Sequence, residues 1–401
     1  MPDRLKILFL AHLIPLPLDS GGKIKSYYTL KALSSRHELS VLAYVRTREE
    51  VEQMPELGKL CHRLRSIPLK RPRAALVLDA AKSILTNQSF IVSRDYRKSM
   101  HDWVIKEIEE FQPDVVHIDH LQMAQFVPFG SSFKTVLDHH NIESMIVKRV
   151  GESPGGLTSR LYARIEWPKL RRYELDVCRR CDRVLTVSDE DKKILLELDP
   201  TLHNIEAVPI GVDVDYFQTI DRKPPTPNIL SIATMYWPPN VDSMLYFHDE
   251  IWPLVKPQVP DCVLTIAGQR PVPAIQALAS NPDVRVTGYV SDSRDLARLC
   301  SVFIVPLRSG SGVRVKLLNA MAMGLPIVST SIGAEGLEVV NDEHLLIADT
   351  PDAFAKAVVR LIHDRALCDR LGANARALAC EKYSWETIGS RLIHVYERLV
   401  G

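Results

Sequence analysis

The chain has almost no net charge and no long apolar run, and each absence excludes a class of protein. Its 50 Lys and Arg residues are balanced by 49 Asp and Glu residues, so the formal net charge is +1. Such a balance gives no overall attraction to nucleic acid, and we expect no nucleic-acid partner. No apolar segment reaches the roughly 18 residues of a membrane-spanning helix. The apolar run at 6–12 is short and strand-like, without the cleavage site of a signal peptide.

Cysteines are few and scattered, which excludes a disulfide-rich secreted domain. Their number, seven, is odd, as is common in proteins of a reducing compartment. Cys178 and Cys181 have the C-x-x-C spacing, but they fall in a helical pattern with no second ligand pair nearby. We interpret them as two half-buried helix residues rather than a zinc or redox site. We therefore expect a cytoplasmic protein.

Strand and helix patterns alternate along the whole chain, which predicts parallel sheets built from βαβ units. The 401 residues are enough for two Rossmann-like domains, and a cleft at the carboxyl ends of both sheets would bind the ligands. A long helix is predicted at 157–181, with a kink or break at Pro168. The proline-rich segment 222–228 is interpreted as a linker between the halves. The predicted strands are 6–11, 39–44, 115–118, 135–138, 183–187, 229–233, 263–267, 284–287, 302–305, 327–329 and 345–347.

One segment of the second half combines a strand, a glycine loop and a helix in the order of an anion-binding site. The loop contains Gly310 and Gly312, and the predicted helix runs from about 313 to 323. Backbone N–H groups at such a helix start are free to bind an anion. Arg314 and Lys316 fall in the predicted first turn, where a structural cap would favour acids. We predict phosphate binding here; the alternative is a surface helix with solvated basic residues.

The stretch from Gly310 to Gly336 resembles the donor-site block of family 4 glycosyltransferases, which are retaining, nucleotide-sugar-dependent enzymes of the GT-B fold. The resemblance implies an acceptor-binding domain at 1–205, completed by a terminal helix at 384–401 that crosses back to it. It implies a donor-binding domain at 206–383, facing the first across the cleft. The Pro-Ile-Gly-Val-Asp block that starts at Pro209 matches the family's junction between domains.

The resemblance also implies an activity. The chain would transfer a sugar from a UDP- or GDP-sugar to a carbohydrate, lipid-linked or small-molecule acceptor, without a metal or other cofactor. The setting would be synthesis of a cell-surface polysaccharide or glycoconjugate. The segment Lys70–Leu85 mixes cations with apolar residues, which permits peripheral contact with the inner face of a membrane; a helix packed on its own domain is the alternative.

Two loops of the first half match the family's active-site loops. Gly21 and Gly22 follow the first strand, and the resemblance places them beside the donor diphosphate and the acceptor. The sequence Asp138-His-His-Asn-Ile-Glu143 resembles the family's Asp-x-His-Asn-x-Glu, which puts His140 next to the transferred sugar, with His139 as the alternative. A metal site built from His117, His120, His139 and His140 is the competing interpretation.

The resemblance implies donor contacts in the second half as well. Trp237 and Tyr289 could stack on the ligand or only pack on the protein. The catalytic cations would be Arg314 and Lys316. The residues implied to contact the donor or its phosphates are Gly268, Val290, Gly310, Ser311, Gly312, Val313, Asn319 and Glu335.

The chain departs from the family at two points. Many members carry cations in the loop that here reads Thr234–Asn240 and has none, so Arg314 and Lys316 are the natural replacements. The family's paired glutamates fall on Ser311 and Asn319, and Asn319 has no charge with which to hold the ribose hydroxyls. Glu335 and Glu338 could take over part of that role. A non-catalytic nucleotide-sugar-binding subunit, or an epimerase of the same fold, is the alternative.

Overall fold

The computed structural model describes residues 4–152, 157–310 and 312–401. The chain divides into two compact units: 1–209 with 388–401, and 210–387. Each unit contains one parallel β-sheet covered by helices. In the described ranges no helix is long and apolar enough to span a membrane.

The first unit has a seven-stranded sheet in the order β3-β2-β1-β4-β5-β6-β7. Its strands are β1 Lys6–Ala11, β2 Glu38–Val45, β3 Arg63–Pro68, β4 Val115–Asp119, β5 Lys134–Asp138, β6 Arg183–Thr186 and β7 Ile205–Ala207. Its helices are α1 Gly21–Ser34, α2 Arg48–Glu52, α3 Met54–Gly58, α4 Arg73–Leu85, α5 Phe90–Ser93, α6 Lys98–Phe111, α7 Glu143–Glu152, α8 Leu157–Arg180 and α9 Asp189–Leu198, with a 3-10 helix at Leu121–Phe126.

The second unit has a six-stranded sheet in the order β10-β9-β8-β11-β12-β13. Its strands are β8 Asn228–Ile232, β9 Val263–Ala267, β10 Val284–Gly288, β11 Val302–Val305, β12 Ile327–Ser329 and β13 Leu346–Ile347. Its helices are α10 Pro238–Tyr246, α11 Trp252–Val255, α12 Pro273–Ala277, α13 Ser293–Arg298, α14 Val315–Ala322, α15 Ser331–Ala334, α16 Pro351–His363 and α17 Arg365–Tyr383, with a π-helix at Phe247–Ile251 and a 3-10 helix at Leu278–Ser280. A last helix, α18 Trp385–Val400, begins in this unit and ends in the first.

Every predicted strand is present, with each end within one residue of the prediction. The strands were recognisable because both faces of a central parallel strand are buried, which produces short runs of β-branched and other apolar residues. Two edge strands, β3 and β7, were missed. In β3, Arg alternates with apolar residues, a pattern typical of a surface segment, and most residues of the strand are only half-buried. Strand β7 has only three residues, too few for a recognisable pattern.

Three local expectations are wrong. Helix α8 continues through Pro168, so the break expected there as an alternative to a kink is absent, because the buried residues Leu170, Glu174 and Cys178 anchor the following turns to the first unit; the kink stays a prediction. The segment 222–228 is not a linker but part of the second unit. Arg222 donates to the Ser301 carbonyl at 3.3 Å. Cys178 and Cys181 are fully rather than half-buried.

Candidate functional site

In the first unit, two acidic residues end neighbouring strands. Asp119 closes β4 and Asp138 closes β5, and the two are partners in the parallel register. Both are buried, and each is followed by a histidine, His120 or His139. Because the carboxyl ends of parallel strands meet at one edge of a sheet, this register brings two Asp-His pairs together. The backbone N–H of His120 donates to the Asp138 carbonyl at 3.3 Å, which joins the two loops.

Asp119 is the centre of a buried hydrogen-bond network. His140 Nε2 lies 2.9 Å from one of its oxygens and His120 Nδ1 lies 3.1 Å from the other. The Ser26 hydroxyl, from α1, lies 3.0 and 2.9 Å from the same two oxygens. Burial alone would raise the pKa of Asp119, but the imidazoles of His140 and His120 hold it well below its ordinary value. Asp119 is therefore an ionised acceptor at neutral pH.

The network assigns a protonation state to His140. Burial, and secondly the charge of His120, lowers the pKa of His140 to about 4, so the ring is neutral. Since an ionised Asp119 only accepts, the proton belongs on Nε2, and Nδ1 is left as an acceptor. Among the described residues, Nδ1 has no hydrogen-bond partner. A Cβ added to Gly22 would lie 3.5 Å from Nδ1. An acceptor atom therefore faces the first turn of α1, which begins with Gly21 and Gly22.

His120 and His139 differ from His140 in their surroundings. The Asp119 charge raises the pKa of His120 in spite of burial, which acts in the opposite sense. Burial lowers the pKa of His139 to about 3, and its Nε2 lies 3.5 Å from the sulfur of Cys178. The structure thus separates the two histidines named by the sequence: His140 joins the Asp119 network and His139 faces α8.

The four histidines considered for a metal do not converge on one point. His117 Nδ1 lies 2.5 Å from the hydroxyl of Tyr396, and the ring stacks on Phe9 with centroids 4.1 Å apart. A different set, Asp119, His120 and His140, presents ligand atoms within 4.8 Å of one another. A cation there would compete with the three donors that already satisfy the Asp119 carboxylate. The arrangement fits a hydrogen-bonded imidazole pair better than a metal centre.

In the second unit, the helix after the glycine loop begins later than expected. Helix α14 starts at Val315, so Arg314 occupies the N-cap with extended backbone angles, and the expected start at Val313 is wrong. Gly310 and Gly312 have φ angles of +134° and +75°, a region that favours glycine, so the chain turns sharply before it becomes helical. Arg314 is therefore not part of the first turn, whereas Lys316 is.

The side chain of Arg314 folds back over the loop. It donates to the carbonyl of Gly312 at 2.6 Å and to that of Ile332 at 3.3 Å. Its guanidinium also lies 3.5 Å from the carboxylate of Glu335. Arg314 and Glu335, both predicted at the donor site, are thus in contact. Glu338 instead pairs with Lys382, so the two glutamates differ in their partners.

Lys316 reaches the segment 234–240, in which the family's cations are missing and whose last three residues begin α10. Its Nζ lies 3.0 Å from the side-chain oxygen of Asn240, the last residue of the segment 234–240. Burial, and secondly the positive charge of Arg314, lowers the pKa of Lys316 to about 7. Within the described ranges Lys316 forms no ion pair with an acid, and such a desolvated amine favours the arrival of an anion.

The other residues named for the second unit fall in the loops around the strand ends. Gly268 has φ +148°, and a Cβ there would lie 1.6 Å from the Ala233 carbonyl oxygen, so only glycine allows β8 and β9 to end side by side. Val290 is half-buried, and Asn319 lies half-buried one helical turn after Lys316. No hydrogen bond of the Asn319 side chain is formed within the described ranges. Ser311 lies outside the described residues.

The aromatic residues proposed for stacking are largely exposed. Tyr289 is 74% exposed and Trp237 is 54% exposed, so packing within the protein does not account for either. Gly21 is the first residue of α1, as the glycine-loop interpretation requires, and Ser20 provides no side-chain cap there. Without that cap, the first N–H groups of α1 can donate to a ligand.

Sequence reasoning missed Asp119, Ser26 and Lys25 as members of the site. Lys25 forms a buried ion pair with Asp138 and lies 3.5 Å from the His139 carbonyl. The signal was present in the repeated Asp-His sequence at the ends of two predicted strands. The contributions of Ser26 and Lys25 depend on how α1 packs on the sheet, which no local pattern encodes.

Two family models match the chain in succession. The model described as Glycosyltransferase Family 4 matches residues 26–216, and the model described as Glycosyl transferases group 1 matches residues 226–364. An uncharacterized 44.6 kDa protein in the cps region of Klebsiella pneumoniae is 22% identical over 414 residues, covering 96% of this chain and 98% of that protein. A phosphatidyl-myo-inositol mannosyltransferase of Mycobacterium tuberculosis is 27% identical over 207 residues, covering 48% of this chain and 54% of the relative.

Solved structures match over nearly the full length. Sucrose-phosphate synthase from Thermosynechococcus elongatus superposes with a TM-score of 0.72 at 16% identity, covering 99% of each chain. Anabaena HepE in complex with UDP-glucose gives a TM-score of 0.67 at 13% identity, covering 98% of this chain and 100% of that one. At such identities the likeness shows the fold, which confirms the expected GT-B class.

Proposed function

This chain belongs to the group 1 glycosyltransferases of family 4, and we propose that it transfers a sugar from a nucleotide-sugar to an acceptor with retention of anomeric configuration. The observation that carries the proposal is the pair of cations at the start of α14. Arg314 and Lys316 follow a loop with the positive-φ glycines Gly310 and Gly312, and Lys316 contacts Asn240 at the end of the segment 234–240, which contains no cation. Cations and helix N–H groups together stabilise the charge of a departing diphosphate.

In the proposed reaction the second unit binds the donor. The diphosphate meets Gly310, Gly312 and the N–H groups that precede Val315. Arg314 exchanges part of its contact with Glu335 for phosphate oxygens, and the freed carboxylate is available to the ribose hydroxyls. Gly268 and Val290 belong to the loops that hold the nucleoside. UDP is the first nucleotide to test, because HepE was solved with UDP-glucose. GDP is the second.

The first unit binds the acceptor and supplies His140. Its neutral ring presents Nδ1 as an acceptor toward Gly22, so it can receive a hydrogen bond from a hydroxyl of the transferred sugar. Asp119 acts as a positioning residue, because it fixes the tautomer that leaves Nδ1 unprotonated. The new bond forms on the face from which the diphosphate departs, and the leaving phosphate takes the acceptor's proton. We propose that no metal is required, because Arg314, Lys316 and the helix start supply the positive charge.

The setting we propose is synthesis of a surface polysaccharide or glycolipid in the cytoplasm, at the inner face of a membrane. Two relatives support it: one lies in a cps region and another is a phosphatidyl-myo-inositol mannosyltransferase. The match to the mannosyltransferase spans about half of that protein, so its sugar and its acceptor are hypotheses for this chain.

A second candidate is a subunit that binds the nucleotide-sugar without transferring it. It is favoured by Asn319, which stands where the family has a glutamate and has lost the charge that holds the ribose. Calorimetric titration with UDP, GDP, ADP and dTDP, followed by hydrolysis assays with sugars of the base that binds, separates the two. Binding with slow hydrolysis supports the transferase. Binding without turnover in any acceptor mixture favours the second candidate, and no binding at all refutes both.

A further inference from the structure

Three arginines lie at the carboxyl edge of the first unit's sheet and have no role in the reaction proposed above. Arg46 follows β2, Arg71 lies shortly after β3, and Arg94 is the C-cap of α5. Ligands of parallel α/β sheets bind at this edge. Arg46 is close enough to both Arg71 and Arg94 for their charges to repel it. We call these three residues the arginine cluster.

A buried carboxylate, that of Asp95, lies at the centre of the cluster. It pairs with Arg71 and lies 3.0 Å from His12 Nε2 and 3.9 Å from Arg94 Nε. Burial would raise the pKa of Asp95, but the hydrogen bond with His12 and the charge of Arg71 hold it below its ordinary value. Burial lowers the pKa of His12, so its ring is neutral. One ionised carboxylate therefore serves two guanidinium groups and an imidazole.

The other acids near the cluster do not balance its charge. Glu50 lies near Arg46, but its carboxylate is 3.2 Å from the Lys23 ammonium. Glu143 lies near Arg94, and burial raises the pKa of Glu143, which disfavours its charged form. Among the described residues, the three arginines and Lys23 thus face three acids at most. The excess of positive charge at a ligand-binding edge favours an anion.

The guanidinium groups also have N–H donors without acceptors. The Nε atoms of Arg71 and Arg94 are buried and form no hydrogen bond within the described ranges. Their side chains remain 23% and 31% exposed, so a solute can reach the two groups. Arg46 is exposed, and its side chain forms no ion pair in the part of the chain that the structure describes. Because a buried N–H without an acceptor is costly, an anion with several oxygens would stabilise this arrangement.

A row of histidine rings links the arginine cluster to the proposed acceptor site. The ring of His12, which bonds to Asp95, has its centroid 5.6 Å from that of His120. The centroid of His120 lies 3.8 Å from that of His140. The three histidines follow β1, β4 and β5, which are neighbours in the sheet. An acceptor with its reactive hydroxyl near His140 can therefore extend a second group along this edge toward Arg71.

We propose that the arginine cluster binds a phosphate group of the acceptor, so that the acceptor is a phosphorylated sugar. Guanidinium groups bind phosphate through paired N–H···O bonds. Arg46, Arg71 and Arg94 contact the phosphate oxygens, and Asp95 acts as a positioning residue for Arg71. A phosphate fits better than a carboxylate, because a phosphate monoester offers three oxygens and nearly two negative charges. The inference rests on the proposed function, since it takes the first unit as the acceptor-binding unit.

Calorimetric titration of the full chain with glucose 1-phosphate, glucose and glucuronate tests the proposal. The wild type is expected to bind glucose 1-phosphate at least about tenfold more tightly than the other two. Saturating nucleotide, of the base that binds, fills the donor site and should leave this binding in place. R46A should weaken it about tenfold or more, because a charged hydrogen bond is lost, and R46K should restore only part of the affinity.

The matched control is R48A, because Arg48 lies close in the chain, is exposed, and pairs with Glu52 of its own helix. R48A should bind glucose 1-phosphate like the wild type. Arg46 is exposed as well, so all three variants should keep the wild-type melting temperature.

Transfer assays identify the source of the phosphate, which belongs either to a soluble sugar phosphate or to a lipid-linked one. The two acceptors are glucose 1-phosphate in solution and its ester with a long alkyl chain in detergent micelles. Transfer to either supports the proposal and names the source. R46A should raise the KM for that acceptor about tenfold with little change in kcat, as expected for a residue that binds the substrate. Transfer to uncharged sugars alone would overturn the proposal.

Other results would also overturn it: no binding of glucose 1-phosphate by the wild type, R46A that binds like R48A, or binding lost when nucleotide is present. Glucuronate that binds as tightly as glucose 1-phosphate would assign the cluster to a carboxylate instead. Nucleotide titration separates this inference from the proposed function, because R46A should keep wild-type nucleotide affinity. A chain that binds glucose 1-phosphate through Arg46 but binds no nucleotide would refute only the donor site.

Discussion

The ammonium nitrogen of Lys316 lies 3.0 Å from the side-chain oxygen of Asn240. This contact joins the first turn of α14 to the first turn of α10, at the end of the segment 234–240. The second unit therefore has a cation at that segment although the segment's own sequence contains none. Burial, and secondly the positive charge of Arg314, lowers the pKa of Lys316 to about 7, and the neutral amide of Asn240 adds no charge to offset this.

The first prediction concerns proton uptake by Lys316. Its ordinary pKa is 10.5 and in the unliganded protein it is about 7, so at about pH 8.5 most molecules carry the neutral amine. A bound diphosphate favours the charged form and raises the pKa. Binding should therefore take up about one proton at that pH and little at about pH 6, and affinity should fall as the pH rises above 7. Calorimetry in buffers of different ionisation enthalpy measures the uptake.

Lys316→Met should abolish this uptake, whereas the exposed Lys223→Met should leave it unchanged. Proton uptake that persists in Lys316→Met would show that another group titrates.

The second prediction concerns Arg314. Arg314→Ala should weaken binding of the nucleoside diphosphate by about 1.5–3 kcal/mol, the range for a hydrogen bond to a charged group. Arg308→Ala is the matched control, since Arg308 also follows β11 but pairs with Asp242 at 2.6 Å. Titration with the nucleoside diphosphate should show this loss of affinity in Arg314→Ala and wild-type affinity in Arg308→Ala. Equal losses, or none in Arg314→Ala, would mean that the phosphate site is elsewhere.

The third prediction compares His140 with His139. His140→Ala should reduce the rate of sugar transfer about 100-fold or more, within the range for a side chain that acts on the reacting groups, with little change in nucleotide affinity. His139→Ala should instead lower the melting temperature, because its ring is buried against Cys178. Asp119→Asn should lower kcat more than it raises KM, since it disturbs the tautomer of His140. The reverse pattern for the two histidines would contradict the assignment.

The fourth prediction concerns Asn319, where a substitution restores the glutamate charge of the family. Asn319→Glu should tighten binding of a ribonucleoside diphosphate about tenfold, because a carboxylate makes a stronger bond to the ribose hydroxyls than an amide does. Asn319→Gln is the control and should bring no gain. Titration with the 2′-deoxy nucleotide should show a much smaller effect of Asn319→Glu. A gain of equal size with both nucleotides would exclude a contact to the 2′-hydroxyl.

Much of the fold could be predicted because the central strands of both sheets consist of short buried runs between turn residues. Strands β1, β9, β11 and β12 were predicted to the residue. The errors arise where tertiary packing decides: α8 continues through Pro168 because the turns beyond it are anchored, and α14 starts after Arg314 because Gly312 turns the chain.

The site was predictable only as far as residues carry a local signal. The glycine loops and the His139-His140 pair stand next to strand ends and could be found in the sequence. The role of Asp119 could not be found in the sequence, because it depends on the register of β4 and β5 and on Ser26 from α1. For the same reason, the contact between Lys316 and Asn240 is visible only in three dimensions.

The most direct test of the central claim is the configuration of the sugar released when the tightest-binding donor is hydrolysed. Proton NMR at early times, before mutarotation, reads the anomer that forms first. A retaining transferase with an α-linked UDP-sugar should release the α-anomer together with UDP, and His140→Ala should slow that release. Initial release of the β-anomer would contradict retention, and a donor that binds but is never cleaved would contradict transfer itself.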